Sequence, residues 1–219
     1  MSLKTEFKIG LIGWGKLSKS IVQENAQKIK AIYTKQTEQI NGILMTNNLE
    51  VFLSNVDVII DCSIDGFDDR SVKIDKPIII ATTQIITKYP KFYMKMPNGS
   101  FSWNLLHETC IKLAKNKKYN FIITEIHHQH KKDAPSGTAM RLINELKELN
   151  CEVNYTSSRG FEVTGTHTIT AYNNDECIKF EHQAHNRKIF AQGLLFAAEW
   201  ISQQTPGIYL TKDLYLAKF

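Results

Sequence analysis

Few cysteines and no long apolar run bound what this chain of 219 residues can be. Cys62, Cys110, Cys151 and Cys177 stand far apart and form no C-x-x-C pair. A disulfide framework and a thiolate metal site are disfavoured, and a reducing compartment, the cytoplasm, is expected. No apolar stretch approaches the roughly 20 residues that a membrane span needs. Lys4 and Lys8 resemble a leader's basic start, but the apolar stretch after them stops at a glycine turn, so no signal peptide is read. Charge of one sign is also scarce. Lys and Arg number 27 against 22 Asp and Glu, an excess of 5, and the densest groups (Lys115, Lys117, Lys118; Lys131, Lys132) are short. Without a basic, aromatic-studded stripe, a nucleic-acid partner is not expected. A mild excess suits a dianionic small molecule and a phosphorylated cofactor.

There is no internal repeat and no low-complexity segment. In the first half, short apolar runs alternate with helical spacing, the signature of βαβ units and a parallel sheet. Strands are expected at Phe7 to Ile12, Ile29 to Tyr33, Val56 to Asp61 and Pro77 to Ala81, with a helix through Leu17, Ile21, Val22 and Ala26. The last two strands are continuous apolar runs, as for strands covered on both faces. The character changes near Pro97-Asn98-Gly99. A helix is expected through Leu106, Cys110, Leu113 and Ala114, a strand at Tyr119 to Ile126, and a helix through Ala139, Leu142, Ile143, Leu146 and Leu149. Strand-like runs then follow closely, at Cys151 to Ser157, Thr164 to Tyr172 and Glu176 to His182, with a last helix at Phe190 to Gln203. Strands not separated by helices imply a second, partly antiparallel sheet. The expected fold class is α/β: a Rossmann-type dinucleotide-binding domain, 1–98 plus 187–219, and a smaller α+β domain with a mixed sheet, 99–186.

Gly13-Trp14-Gly15-Lys16-Leu17-Ser18 is a G-x-G-x-x-S between the first strand and first helix. The first glycine permits the tight turn and the second lets a pyrophosphate reach the backbone. Free N–H groups at the helix start then bind phosphate. Strand two ends in Tyr33-Thr34-Lys35 without the carboxylate that reads an NAD ribose. Thr34 and Lys35 fit the 2′-phosphate of NADPH, while Lys35 reads equally well as a solvated loop residue.

The segment Glu125-Ile126-His127-His128-Gln129-His130-Lys131-Lys132-Asp133-Ala134-Pro135-Ser136-Gly137-Thr138-Ala139 leaves a strand, gathers cationic groups and turns into a helix. Ser136 or Thr138 can cap that helix, and free N–H groups around Gly137 and Thr138 make an anion site. His127 or His128 can exchange protons near neutral pH, and Lys131 adds a compact charge with transferable protons. On an extended chain His128 and His130 share a face and His127 points away, and no acid or thiolate stands at a recognised ligand spacing, so no metal is expected.

The run E-x-H-H-x-x-K-x-D-A-P-S-G-T-A resembles the signature of dihydrodipicolinate reductases. Asp61-Cys62-Ser63 is similar to the family's D-F-[ST], Pro97-Asn98 through Asn104 to its P-N-x-S segment, and Thr205-Pro206-Gly207-Ile208-Tyr209 to its P-G-[IL]-Y motif. Ala81-Thr82-Thr83-Gln84 stands where the family has G-T-T-G, in a loop associated with the nicotinamide, and Gly99 replaces a Phe. The resemblance implies reduction of the unsaturated cyclic product of dihydrodipicolinate synthase by NADPH or NADH, and a homotetramer. It implies His127 and Lys131 as catalytic residues, with His128, Lys131, Ser136, Gly137, Thr138 and Arg187 binding the dicarboxylate. The cofactor residues it implies are Gly13 to Ser18, Thr34, Lys35, Ser63, Ala81, Thr82, Thr83, Pro97 and Asn98. A nucleotide-sensing protein without turnover and another two-domain amino-acid dehydrogenase are the alternatives.

Overall fold

A computed structural model describes residues 7–36, 38–63, 74–82, 91–160 and 163–216. The chain divides into two compact units, 1–99 with 188–219, and 100–187. No helix among the described residues is long and apolar enough to cross a membrane.

In the first unit seven parallel strands are β1 (Ile9–Ile12), β2 (Ile29–Tyr33), β3 (Leu44–Thr46), β4 (Val58–Asp61), β5 (Ile78–Ile80), β6 (Tyr93–Lys95) and β11 (Ile208–Leu210). Their order is β11-β6-β5-β4-β1-β2-β3. Strand order therefore reverses between β1 and β4, the switch point at which open α/β sheets bind nucleotides. The short β3, β6 and β11 and helices α2 (Leu49–Ser54) and α6 (Thr211–Leu216) were not expected. A three-residue strand or six-residue helix is too short to establish a period.

Every residue of β1, β4 and β5 is buried. On one face α1 (Lys16–Asn25) and α5 (Lys188–Ile201) bring Ile21, Leu194, Ala198 and Ile201 against Ile9, Leu11 and Ile60. On the other, α2 brings Leu49 and Phe52 against Ile12, Ala31 and Ile59. Gly10 makes this possible: a Cβ there would lie 2.6 Å from the Phe52 ring. Gly99 is the segment's departure from the family's Phe, and its backbone lies on α5. A Cβ at Gly99 would strike the Phe190 carbonyl, and one at Gly193 the Gly99 carbonyl oxygen. A phenylalanine at 99 has no room against this helix.

The second unit holds β7 (Asn120–His127), β8 (Val153–Arg159), β9 (Gly165–Tyr172) and β10 (Cys177–Ala184) in the order β10-β9-β7-β8. β9 is antiparallel to both neighbours and β7 is parallel to β8, so the sheet is mixed. The parallel pair is joined through α4 (Gly137–Glu148), as a crossover requires. Burial alternates along β7 and β9. Phe121, Ile123 and Ile169 pack with Trp103 and Cys110 of α3 (Phe101–Lys115) and Leu142 and Leu146 of α4. The other face carries Thr124, Thr156 and Thr168 and the exposed Ile122.

Candidate active site

In the first unit the chain leaves β1 at Gly13 with φ +86°, which favours glycine, and its N–H donates to the Tyr33 carbonyl 3.0 Å away. Ser18 is buried and its hydroxyl donates to the Gly13 carbonyl at 2.8 Å, closing the turn. A small residue is needed there, and Ser supplies a hydrogen bond as well. Gly15 is the N-cap of α1 without a side-chain cap, no acid stands in the first turn, and a Cβ at Gly15 would meet open space. The exposed helix start at Lys16 and the half-buried Leu17 thus offer N–H groups that no side chain caps. That vacancy fits a pyrophosphate.

Across the switch point, Gly13 packs on the turn after β4, where its Cβ would lie 3.3 Å from the Ser63 backbone. Ser63 is anchored by its own N–H and hydroxyl to Asp61 Oδ1, at 2.9 and 2.5 Å. Ala81 follows β5 with its N–H on the Asp61 carbonyl at 3.0 Å, and Thr82 beside it is buried. Thr83 and Gln84 lie outside the described residues. Pro97 and Asn98 are half-buried after β6. At the end of β2, Thr34 Oγ1 accepts from the Gln36 N–H at 3.1 Å, and Lys35 is exposed. A carboxylate does reach this turn, from Glu38. It accepts from the Trp14 indole at 2.7 Å and pairs with Lys19 at 3.2 Å. Sequence reading missed it because it lies beyond the strand end.

Burial pushes the thiols of the half-buried Cys62 and the buried Cys110 up to about 12, above the range of an activated cysteine.

In the second unit Glu125 and His127, two apart on β7, share its buried face. His127 Nδ1 bonds Glu125 Oε2. The other carboxylate oxygen accepts from the Ser136 N–H at 3.2 Å, from Ser157 Oγ and from the Arg159 guanidinium at 2.8 Å. Ser157 and Arg159 face Glu125 and His127 through the parallel β7–β8 register. On the other side His167 pairs with Glu125 across β9. Gly165 lacks a side chain where His127 needs space: a Cβ there would sit 2.5 Å from His127 Nε2.

Burial raises the Glu125 carboxyl, but hydrogen bonds from Ser157, Arg159 and His127 outweigh it and hold the group below its ordinary range. Burial pulls His127 below the usual imidazole range; Glu125 opposes this, and the charges of Lys131 and Arg159 reinforce it.

Past the strand end the chain is not extended as expected but turns, with the Lys131 N–H on the His128 carbonyl at 3.0 Å, and the rings of His128 and His130 lie 6.4 Å apart. Lys131 Nζ pairs with Asp133 Oδ1 at 2.7 Å, while Asp133 Oδ2 accepts from the Gly137 N–H at 3.0 Å. The expected free N–H at Gly137 is therefore corrected: an internal carboxylate occupies it together with Lys131. Ser136 caps α4, its Oγ accepting from Ala139 N at 3.2 Å, as expected, and Thr138 lies in the first turn. Arg187 is half-buried just after β10 and makes no ion pair recorded among the described residues.

Glu125, His127 and His167 bring three potential metal-ligating atoms within 4.8 Å. Both Glu125 oxygens already accept hydrogen bonds, one from a guanidinium. A second cation there would displace those donors, so the cluster is a hydrogen-bond network built around a carboxylate.

Two of the neighbouring imidazoles resist protonation strongly. Burial lowers His107 to about 4 and His167 to about 3. Unfolded, both bind a proton below the ordinary value of about 6.5; folded, they do not until far lower, so stability is lost as pH falls through this window. By pH 5 each costs about 2 kcal/mol. A thermal-unfolding series should show Tm dropping steeply from pH 7 to pH 5; a flat Tm over that range would contradict the buried neutral state.

Comparison with known proteins bears on the whole of this arrangement. Residues 102–215 match the family model described as dihydrodipicolinate reductase, C-terminus. The 4-hydroxy-tetrahydrodipicolinate reductase of Aquifex aeolicus is 33% identical over 211 residues, covering 81% of this chain and 80% of that protein. That of Pelagibacter ubique is 32% identical over 215 residues, covering 81% and 83%. Among solved structures, a dipicolinate-bound dihydrodipicolinate reductase from Paenisporosarcina superposes with a TM-score of 0.73 at 16% identity, covering 93% of this chain and 97% of its own. An aspartate dehydrogenase from Thermotoga maritima reaches a TM-score of 0.54 at 11% identity, covering 91% of this chain and 98% of its own. Those two are likenesses of fold. With the model covering over half of the sequence, and relatives sharing a third of their residues along most of their length, the chain belongs to the dihydrodipicolinate reductase family.

Proposed function

We propose that this chain reduces 4-hydroxy-tetrahydrodipicolinate to tetrahydrodipicolinate with NADPH or NADH, in the diaminopimelate route to lysine: the 4-hydroxyl leaves as water, and the unsaturated ring so formed takes up one hydride and one proton. The observation that carries the reading is the closed set of partners around Glu125: an imidazole, a guanidinium and the start of an anion-binding helix. When bound at Gly13 to Ser18, the nicotinamide cofactor supplies a hydride. The residues of β7 and α4 manage the charge that the hydride leaves on the ring.

His127, held by Glu125, and Lys131 supply the proton and offset the developing negative charge of the enamine. His128, Ser136, Gly137, Thr138 and Arg187 hold the carboxylates. A substrate carboxylate exchanges with Asp133 on Lys131 and the Gly137 N–H, since those are the partners that such a group seeks. In this reading the first unit is the dinucleotide-binding domain and the second holds the dicarboxylate. A homotetramer that covers the threonine-lined sheet face belongs to this reading, and the widely spaced cysteines support a cytoplasmic location.

Oxidation of the nicotinamide by purified protein, with substrate made in situ by dihydrodipicolinate synthase, tests the reaction. Turnover is expected, and nucleotide binding without turnover would overturn the reading in favour of a sensor. Run with both nucleotides, the assay also tests preference. Thr34 and exposed Lys35 support NADPH, and Lys35→Ala should then lower kcat/KM several-fold for NADPH and little for NADH. One observation favours the reverse: Glu38, fixed by Trp14 and Lys19, is the kind of group that reads an unsubstituted ribose. A higher rate with NADH, equalised by Glu38→Gln, would establish that second reading.

A further inference from the structure

We infer that His167 is a positioning residue for the reaction proposed above, on which this inference rests: it fixes the start of α4 against His127 by bracing the hydroxyl of Ser136. His167 Nε2 lies 3.1 Å from Ser136 Oγ. That hydroxyl already accepts from Ala139 N, so one oxygen joins the cap of the helix to the ring. The ring is clamped, with Trp103 at 4.6 Å and tilted 48°, and His127 edge-on at 5.2 Å. It is buried, and its Nδ1 has no hydrogen-bond partner among the described residues. Among the described residues its hydrogen bonding is therefore spent on Ser136 alone.

The connections close a circuit. His127 Nδ1 meets Glu125, Glu125 holds the Ser136 N–H, and Ser136 Oγ meets His167, whose ring abuts His127. Proton donor and carboxylate-binding helix start are thus located by one set of contacts. Glu125 governs both the charge and the geometry of this set. His167 is held neutral by burial and governs geometry only. The same device recurs at α3, where Ser100 caps the helix and its Oγ lies 3.0 Å from His182 Nε2, on another side of Trp103. Only the His167 copy adjoins His127 and Glu125.

The inference predicts which replacements work. Glutamine can present a polar atom where Nε2 stands, asparagine where Nδ1 stands, and leucine neither. His167→Leu should raise the substrate KM and the calorimetric Kd for dipicolinate about tenfold, equivalent to 1.4 kcal/mol. His167→Gln should restore both to within about threefold, and His167→Asn should not. Ser136→Ala, which removes the other partner together with the cap, should lose at least as much, and adding His167→Leu to it should cost nothing further. NADPH affinity should stay unchanged throughout. If His167→Leu does not fold, the comparison of Gln, Asn and Ser136→Ala decides. Dipicolinate binding within twofold of the parent in folded Leu and Ser136→Ala variants, or equal rescue by Gln and Asn, would overturn the inference. Failure of the parent protein itself to bind dipicolinate or turn over would overturn the functional reading, and this inference with it.

Discussion

Lys131→Met lowers kcat by about two to four orders of magnitude, the usual worth of a positioned proton-transfer group, and leaves nucleotide binding intact. Lys131 lies four residues beyond the end of β7 and is partly sheltered, with its Nζ on Asp133. Methionine keeps the bulk of the stem and removes both the charge and the exchangeable protons. Two consequences separate this effect from simple loss of binding. First, a group that acts on developing charge is missed more in the transition state than in the ground state, so kcat falls further than KM rises. Second, the Lys131 charge is one of the factors holding His127 low. Its removal shifts the His127 limb of the residual pH–rate profile upward. A variant with near-normal kcat would remove Lys131 from the mechanism.

Glu125→Gln lowers kcat at pH 7 by about a hundredfold or more, through the orientation and tautomer of His127. The carboxylate now accepts at both oxygens, from His127 on one and from Arg159, Ser157 and the Ser136 N–H on the other. An amide has one accepting end. The three donors on Oε1 claim it, which leaves an NH2 facing His127 Nδ1 and forces the imidazole proton to Nε2. Glu125 also raises the affinity of His127 for its proton, against the effect of burial. Without the negative charge that affinity falls further, and the limb of the profile that needs protonated His127 moves to lower pH. The opposite displacements in Lys131→Met and Glu125→Gln form a paired test. The Glu125 variant also leaves the Arg159 charge on a neutral amide oxygen with no opposite charge, at a cost of about 3 kcal/mol in urea unfolding. Unchanged kcat together with unchanged stability would show that Glu125 is an ordinary core residue.

Much of the architecture was legible because it depends on local patterns. The apolar runs at 58–61 and 78–80 became central parallel strands, and the spacing at Leu142, Ile143 and Leu146 became the buried face of α4. The glycine turn and Ser136 cap were legible for the same reason, since a few consecutive residues set both. What escaped depends on register. Arg159, Gly165 and His167 reach His127 only because β8 and β9 lie beside β7 in a particular alignment, and no periodicity encodes that alignment. Glu125 could have been found: two residues from His127 on a strand, it had to share its face. Asp133 has no role that sequence spacing assigns. Its capture of the Gly137 N–H reversed the expectation of an open anion site, because a nearby carboxylate meets the same need as a substrate's.

In the proposed reaction a hydride passes to a dicarboxylate ring whose new charge is met by His127 and Lys131. The direct test is a coupled reaction with nicotinamide deuterated at its transferring position, followed by mass spectrometry of the ring product. One deuterium is expected in tetrahydrodipicolinate from the parent protein, and none detectable at the same time point from Lys131→Met. Product without deuterium, or no product from the parent protein, would contradict it.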